Sequence, residues 1–152
     1  MRYYRPARLS QDCLARAIEQ IKSNIETGIL THGALAEVLG TKIGRRTGYE
    51  FAIPLAQATH GIVILARYYQ KHGYRSIRVP AFTWPSTYIP FQWAGFTIKF
   101  HDIDPKTWLA VLPKPDPHEL LCPVDTFGSC YPTDSDDDRY QWVDSAQSLC
   151  TE

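Results

Sequence analysis

The sequence carries no net charge. Sixteen lysines and arginines balance sixteen aspartates and glutamates, and neither sign gathers into a long face, which argues against nucleic acid and anionic membranes as partners. No run of about eighteen apolar residues occurs, so a membrane span is not expected. The basic Met1 to Arg8 segment leads into an amphipathic stretch rather than the apolar core of a signal peptide. A soluble, cytoplasmic protein is the reading. The cysteines Cys13, Cys122, Cys130 and Cys150 show no C-x-x-C spacing, which argues against a zinc site and a disulfide scaffold and leaves reduced thiols as the expectation. No G-x-G-x-x-G follows a strand-like run, which disfavours a Rossmann-type nucleotide binder. What remains is 152 residues, 44% of them hydrophobic. That is enough for one domain, residues 1–152, able to bury roughly two thirds of its unfolded surface.

From Ser10 to Glu26 the residues Leu14, Ala17, Ile18, Ile21 and Ile25 recur with a helical period, with Ser10 as N-cap and Gly28 past the end. A shorter apolar segment, Ala34 to Leu39, is closed by Gly40. A polar stretch from Thr41 to Gly48 then leads to a strand-like run, Phe51 to Leu55. Thr59, His60 and Gly61 open a helix over Ile62 to His72, Gly73 stops it, and Ser76 to Val79 reads as a buried strand ending at Pro80. Strand, helix, strand predicts a parallel βαβ unit. Pro85 suits a first helical position, Pro90 kinks or shortens the helix begun there, and Phe96 to His101 is the next strand. Leu120 to Val124 and Tyr140 to Val143 complete the set. The alternation predicts an α/β fold, three-layered, with a mostly parallel sheet. The links at 105–120 and 132–140 are too broken or too short for full crossover helices, so one sheet face should be thinly covered.

Ligands of open α/β sheets settle outside the carboxyl ends of the strands, and three sequence-distant groups fall there. Thr59 and His60 stand where helical N–H groups could take a phosphate, although a threonine at a helix start is more often a structural cap. Trp84 offers a flat face for a heteroaromatic ring, or equally a core side chain. Asp144 follows Trp142 and Val143, so its carboxylate stands at the mouth of a buried strand, where a partner is needed. A protonated pyridine nitrogen is one such partner, and Gln147 could donate to a ring hydroxyl. An N-cap with an exposed glutamine is the plainer alternative. Asp134, Asp136 and Asp138 alternate as at the start of a calcium loop but lack its glycine and terminal glutamate, and His101, Asp102 and Asp104 read as a strand end and a turn. No metal is expected.

The segment 79–108, VPAFTWPSTYIPFQWAGFTIKFHDIDPKTW, closely resembles the DegT/DnrJ/EryC1/StrS sugar aminotransferases, pyridoxal phosphate enzymes of fold type I. Three further stretches are similar in order and spacing. Ala58-Thr59-His60 resembles the family's Gly-Thr phosphate turn, Pro123 to Gly128 (PVDTFG) its Pro-Val-His-x-Tyr-Gly, and Val143 to Gln147 (VDSAQ) its Glu-Asp-Ala-Ala-Gln. The resemblance implies a reduced form of the family's large domain. In it Thr59 and His60 would bind the cofactor phosphate, Trp84 would stack on the ring, Asp144 would meet its nitrogen and Gln147 its hydroxyl. It also implies a homodimer or a partner subunit, and a nucleotide-sugar ligand.

The family's Schiff-base lysine lies beyond the Asp-x-x-Gln motif, whereas Lys22, Lys42, Lys71, Lys99, Lys106 and Lys114 all precede it here. The expectation is therefore a shortened relative that holds pyridoxal 5'-phosphate without a covalent bond, or has lost it, and does not catalyse alone. The alternative is a non-catalytic interaction module that pairs with its own copy or completes another subunit.

Overall fold

The computed structural model describes residues 9–31, 33–111, 113–131 and 142–148. Its elements run α1 (Gln11–Thr27), α2 (Ala34–Thr47), α3 (Ala58–Lys71), β1 (Ser76–Pro80), a 3-10 turn (Pro85–Thr87), α4 (Ile89–Trp93), β2 (Thr97–His101) and β3 (Glu119–Leu121). The three strands form an all-parallel sheet in the order β2-β1-β3. The α/β class with a parallel sheet is thus the one the alternation predicts.

Helix α1 begins and ends where its sequence says. The Ser10 hydroxyl accepts the Cys13 N–H at 3.2 Å, and Gly28 closes the helix in the left-handed region at φ 73°, its N–H returning to the Ile25 carbonyl. Nothing in α1 is buried. Leu14, Ile18, Ile21 and Ile25 form an apolar stripe on one side of it, all exposed. A helix of this length gains little from intrinsic propensity and depends on covering such a face.

Helix α2 departs from expectation. Instead of stopping at Gly40 it continues through the polar stretch to Thr47. Gly40 and Gly44 are its buried residues because another piece of backbone runs across them. A Cβ on Gly40 would stand 2.6 Å from the Ala52 carbonyl oxygen, and one on Gly44 would stand 2.9 Å from that of Tyr49. The same approach explains the second departure. Phe51 to Leu55 is not a strand; it is extended chain laid on α2, with Pro54 against Gly40 and with Phe51 and Ile53 facing outward. Alternating apolar residues signal a strand only when a neighbouring strand takes one face. The βαβ unit is accordingly β1–α4–β2.

The core lies between one sheet face and the helices α3 and α4. Ile77 and Val79 of β1, Leu120 of β3 and Cys122 pack with Ile62 and Ala66 of α3 and with Phe91, Ala94 and Phe96 around α4. Burial pushes the Cys122 thiol well up, the Asp144 charge adding to it. On the opposite sheet face a smaller cluster of Leu121, Ala110 and Tyr131 is overlaid by irregular chain, as the broken link at 105–120 predicts. Beside it the buried Glu119 carboxylate meets Arg78, Lys99 at 2.6 Å and the Asp116 N–H at 3.0 Å. Burial raises this carboxyl, but the bonds from Lys99, the Asp116 backbone and Arg78 together outweigh it and hold the group at about 2. The ladder beyond β3 continues as a parallel bridge between Val124 and Asp144. Of the predicted strand at Tyr140 to Val143, Tyr140 and Gln141 lie outside the described residues.

Cys13 and Cys122 are free, while Cys130 is disulfide-bonded, which corrects the expectation of four reduced thiols. Asp134, Asp136 and Asp138 lie outside the described residues. His101 ends β2, and Asp104 accepts the Lys106 N–H at 2.7 Å, the ordinary turn its Asp-Pro sequence suggests. Among the described residues no helix is long and apolar enough to cross a membrane.

Candidate functional site

Beyond the carboxyl ends of the strands lies a pocket of about 170 Å³, lined by Ala58 and Ile62 of α3, by Thr83, Trp84, Ser86 and Thr87 after β1, by Val124, and by Asp144, Ala146 and Gln147. Three segments far apart in sequence supply it. The reason is topological: β1 is the central strand, and the Val124–Asp144 bridge extends the sheet on the β3 side, so the chain leaving each of them emerges at the same edge.

Trp84 is extended at φ −74°, ψ 140° and stands immediately before Pro85, whose fixed φ starts the 3-10 turn. The residue is 72% exposed, so it is not held in the core, and it lines the pocket. Asp144 receives two hydrogen bonds, from the Thr87 hydroxyl to Oδ2 at 2.8 Å and from the Ala146 N–H to Oδ1 at 3.2 Å. The backbone around it is tied down as well. Its N–H donates to the Pro123 carbonyl at 2.9 Å, and its carbonyl accepts the Asp125 N–H at 3.0 Å.

Gln147 is oriented by a backbone donor, because its Oε1 accepts the Phe127 N–H at 3.0 Å. Phe127 and Gly128 occupy the centre of a tight turn at φ 54° and 84°, closed by the Ser129 N–H donating to the Thr126 carbonyl. Glycine suits that conformation and phenylalanine does not, so the strained residue is the one whose N–H meets Gln147. Asp125, buried, fastens the segment below. Its carboxylate accepts the Tyr131 N–H at 2.9 Å and the hydroxyls of Ser145 at 2.6 Å and Ser148 at 3.0 Å.

Thr59 and His60 fall differently. Helix α3 begins at Ala58 with Gln57 as the N-cap position, so Thr59 lies in the first turn and is not the cap. Ala58, not Thr59 or His60, lines the pocket; Thr59 is half-buried and His60 exposed. Gln57 makes no side-chain capping bond, and a helix start of this kind keeps N–H donors for an anion. Of the five residues read from the sequence, the structure therefore brings Trp84, Asp144 and Gln147 into one cavity and leaves Thr59 and His60 out of its lining.

Sequence reasoning missed Thr83, Thr87 and the Phe127 N–H. A signal for the first two exists, since Thr83 and Thr87 are four apart across a turn that Pro85 announces. Nothing local ties either to Asp144.

The sequence pattern of the DegT/DnrJ/EryC1/StrS aminotransferase family matches residues 12–115. No curated protein sequence matches the chain. Among solved structures, the E. coli GDP-4-keto-6-deoxy-D-mannose-3-dehydratase with bound hydrated PLP superposes with a TM-score of 0.65 at 20% identity, over 78% of this chain and 33% of that one. A GDP-4-keto-6-deoxymannose-3-dehydratase with a trapped PLP-glutamate geminal diamine gives 0.64 at 20% identity, with the same coverage. Spr1654 of Streptococcus pneumoniae, assigned as a sugar aminotransferase and solved in its PMP form, gives 0.69 at 18% identity over 84% of this chain and 32% of that one. At these identities the likeness establishes the fold. The chain spans about a third of the length of the solved proteins it matches.

Proposed function

Because the chain belongs to the DegT/DnrJ/EryC1/StrS aminotransferase family, we propose that its pocket is the ring-binding half of a pyridoxal phosphate site. The carrying observation is the convergence of Trp84, Asp144 and Gln147 on one cavity from positions up to sixty-three residues apart in sequence. The donor set fits the group. An acceptor-only carboxylate suits a protonated pyridine nitrogen, an amide whose oxygen is already used keeps its NH2 for a ring hydroxyl, and Trp84 with Ile62 and Val124 supplies apolar surface for the ring. The uncapped start of α3 at Ala58, with Thr59 and His60 in the same turn, supplies donors for the phosphate. When bound, such a cofactor supplies an electron sink for carbanion chemistry.

This chain's own residues hold and orient. Asp144 keeps a proton on the ring nitrogen, Gln147 fixes the ring's rotation, and Trp84 shields one ring face from water. All six lysines precede Asp144 in sequence, and none lines the cavity. The residues lining this pocket accordingly read as a non-covalent holder of the cofactor. The substrate class is a nucleotide-linked sugar, on the strength of the GDP-sugar enzymes among the solved relatives, and the setting is the cytoplasm.

A second reading is favoured by one observation. The apolar stripe of α1, with Leu35, Val38 and Leu39 of α2 and with Phe51 and Ile53, stands exposed, a surface that suits self-association or completion by a partner subunit. Homodimerisation is compatible with the cofactor role; as a sole function it is the alternative. Adding pyridoxal phosphate to the chain tests between them: a perturbed cofactor absorbance and a higher melting temperature support the first reading. Association in sedimentation with neither response leaves only the second.

A further inference from the structure

Resting on the reading that a protonated ring nitrogen meets Asp144, we infer that Thr87 is a positioning residue, holding that carboxylate through a directed chain of hydroxyls from Thr83. Thr87 is 1% exposed, carried into the pocket by the 3-10 turn that Pro85 initiates. Its Oγ1 lies 2.8 Å from Asp144 Oδ2 and 3.0 Å from Thr83 Oγ1. A carboxylate only accepts, so the Thr87 proton goes to Asp144. That assignment fixes the other bond: with its single proton spent, Thr87 accepts from Thr83, and the two hydroxyl dipoles align toward the carboxylate. The Ala146 N–H anchors the second oxygen. Both oxygens of Asp144 are then held from the protein side, rotation about the last side-chain bond is stopped, and the remaining lone pairs would be left to accept from the ring nitrogen.

The surroundings leave this role to hydroxyls. From α3 the pocket receives the apolar Ala58 and Ile62. The strand end beside Asp144 carries the Cys122 thiol, neutral because burial raises it, and Asp125, whose carboxylate is taken up by Tyr131, Ser145 and Ser148. From its own turn Asp144 faces the Ala146 N–H and from the 3-10 turn Thr87. A buried threonine serving packing alone would be replaceable by valine, which has the same shape and no hydroxyl; a positioning threonine is replaceable by serine instead.

The test compares the full chain with Thr87→Val and Thr87→Ser by nuclear magnetic resonance, first without ligand and then with pyridoxamine 5'-phosphate labelled on the ring nitrogen. Without ligand, Thr87→Val moves the Ala146 amide resonance and speeds its hydrogen exchange severalfold, and Thr87→Ser restores both. With the labelled amine, Thr87→Val lowers the pH midpoint of ring-nitrogen protonation by about one unit, and Thr87→Ser returns it. A folded Thr87→Val that leaves both readouts unchanged overturns the inference. Should that variant not fold, Thr83→Ala keeps the buried Thr87 intact and must shift both readouts in the same direction by less; no shift overturns the inference equally. If Thr87→Val shows the Ala146 effect while the wild-type chain does not bind the amine, the hold of Thr87 on Asp144 is supported and the cofactor reading of the pocket is refuted.

Discussion

The amide of Gln147 is set by Phe127: an N–H must meet an oxygen, so the 3.0 Å contact places Oε1 toward the turn and leaves the NH2 as the group available to a ligand. Gln147→Glu keeps an acceptor for Phe127 and removes the donor. It should leave the melting temperature within a few degrees of wild type while weakening pyridoxal phosphate binding about tenfold, the effect of losing roughly one good hydrogen bond. Gln147→Leu, which also abandons the Phe127 N–H, should lower stability as well. Parallel ligand titration and thermal melts check both.

Asp144 carries more. Its replacement by alanine removes the acceptor for Thr87 and the counter-charge for the ring nitrogen together, so binding should fall at least tenfold and the bound cofactor's absorbance should lose its pH dependence near neutrality. The measurement is a spectral titration at several pH values.

Acid should destabilise the fold through Glu119. This carboxyl is held at about 2 against an ordinary value of 4.5, so the folded state binds its proton less readily than the unfolded chain does. The stabilisation is present in full above about pH 4.5 and is lost as pH falls toward 2, amounting to about 3 kcal/mol at most. Urea denaturation between pH 6 and 2.5 should show that slope, and Glu119→Gln should be less stable at pH 6 and flatter across the range.

Gly40→Ala puts two effects against each other. Alanine improves helix propensity by about 1 kcal/mol, but its Cβ would stand 2.6 Å from the Ala52 carbonyl oxygen. The contact is with backbone, which can yield only by shifting the overlying segment, so the clash should win and the variant should be less stable by about 1–3 kcal/mol. Faster proteolysis within 49–55 would confirm that the overlying segment has been displaced.

The apolar stripe of α1 predicts a surface effect of opposite kind. Ile21→Glu changes an exposed residue, so it should leave the sheet core intact and shift sedimentation of the chain toward the monomer.

Capping residues and strands with buried neighbours could be read directly from the sequence. Ser10 and Gly28 delimit α1 because a cap is a local event, and β1 is where the Ser-Ile-Arg-Val-Pro run places it because the central strand buries Ile77 and Val79 whatever surrounds it. Phe51 to Leu55 misleads, since alternation is equally compatible with an extended chain lying on a helix, and Gly40 looks like a stop when its role is to admit that chain. In the pocket, Trp84, Asp144 and Gln147 are legible because each stands just past a strand-like run. Thr87 is not, for its one telling bond spans fifty-seven residues, and the strained φ of Phe127 has no sequence mark beyond the adjacent glycine.

Indole fluorescence during titration with pyridoxamine 5'-phosphate tests the cofactor pocket most directly, since the amine form needs no lysine. Wild type should show saturable quenching that is strongly reduced in Trp84→Phe and shifted to much higher ligand concentration in Asp144→Ala. Quenching that does not saturate, or that is unchanged in both variants, would contradict a cofactor pocket built on these residues.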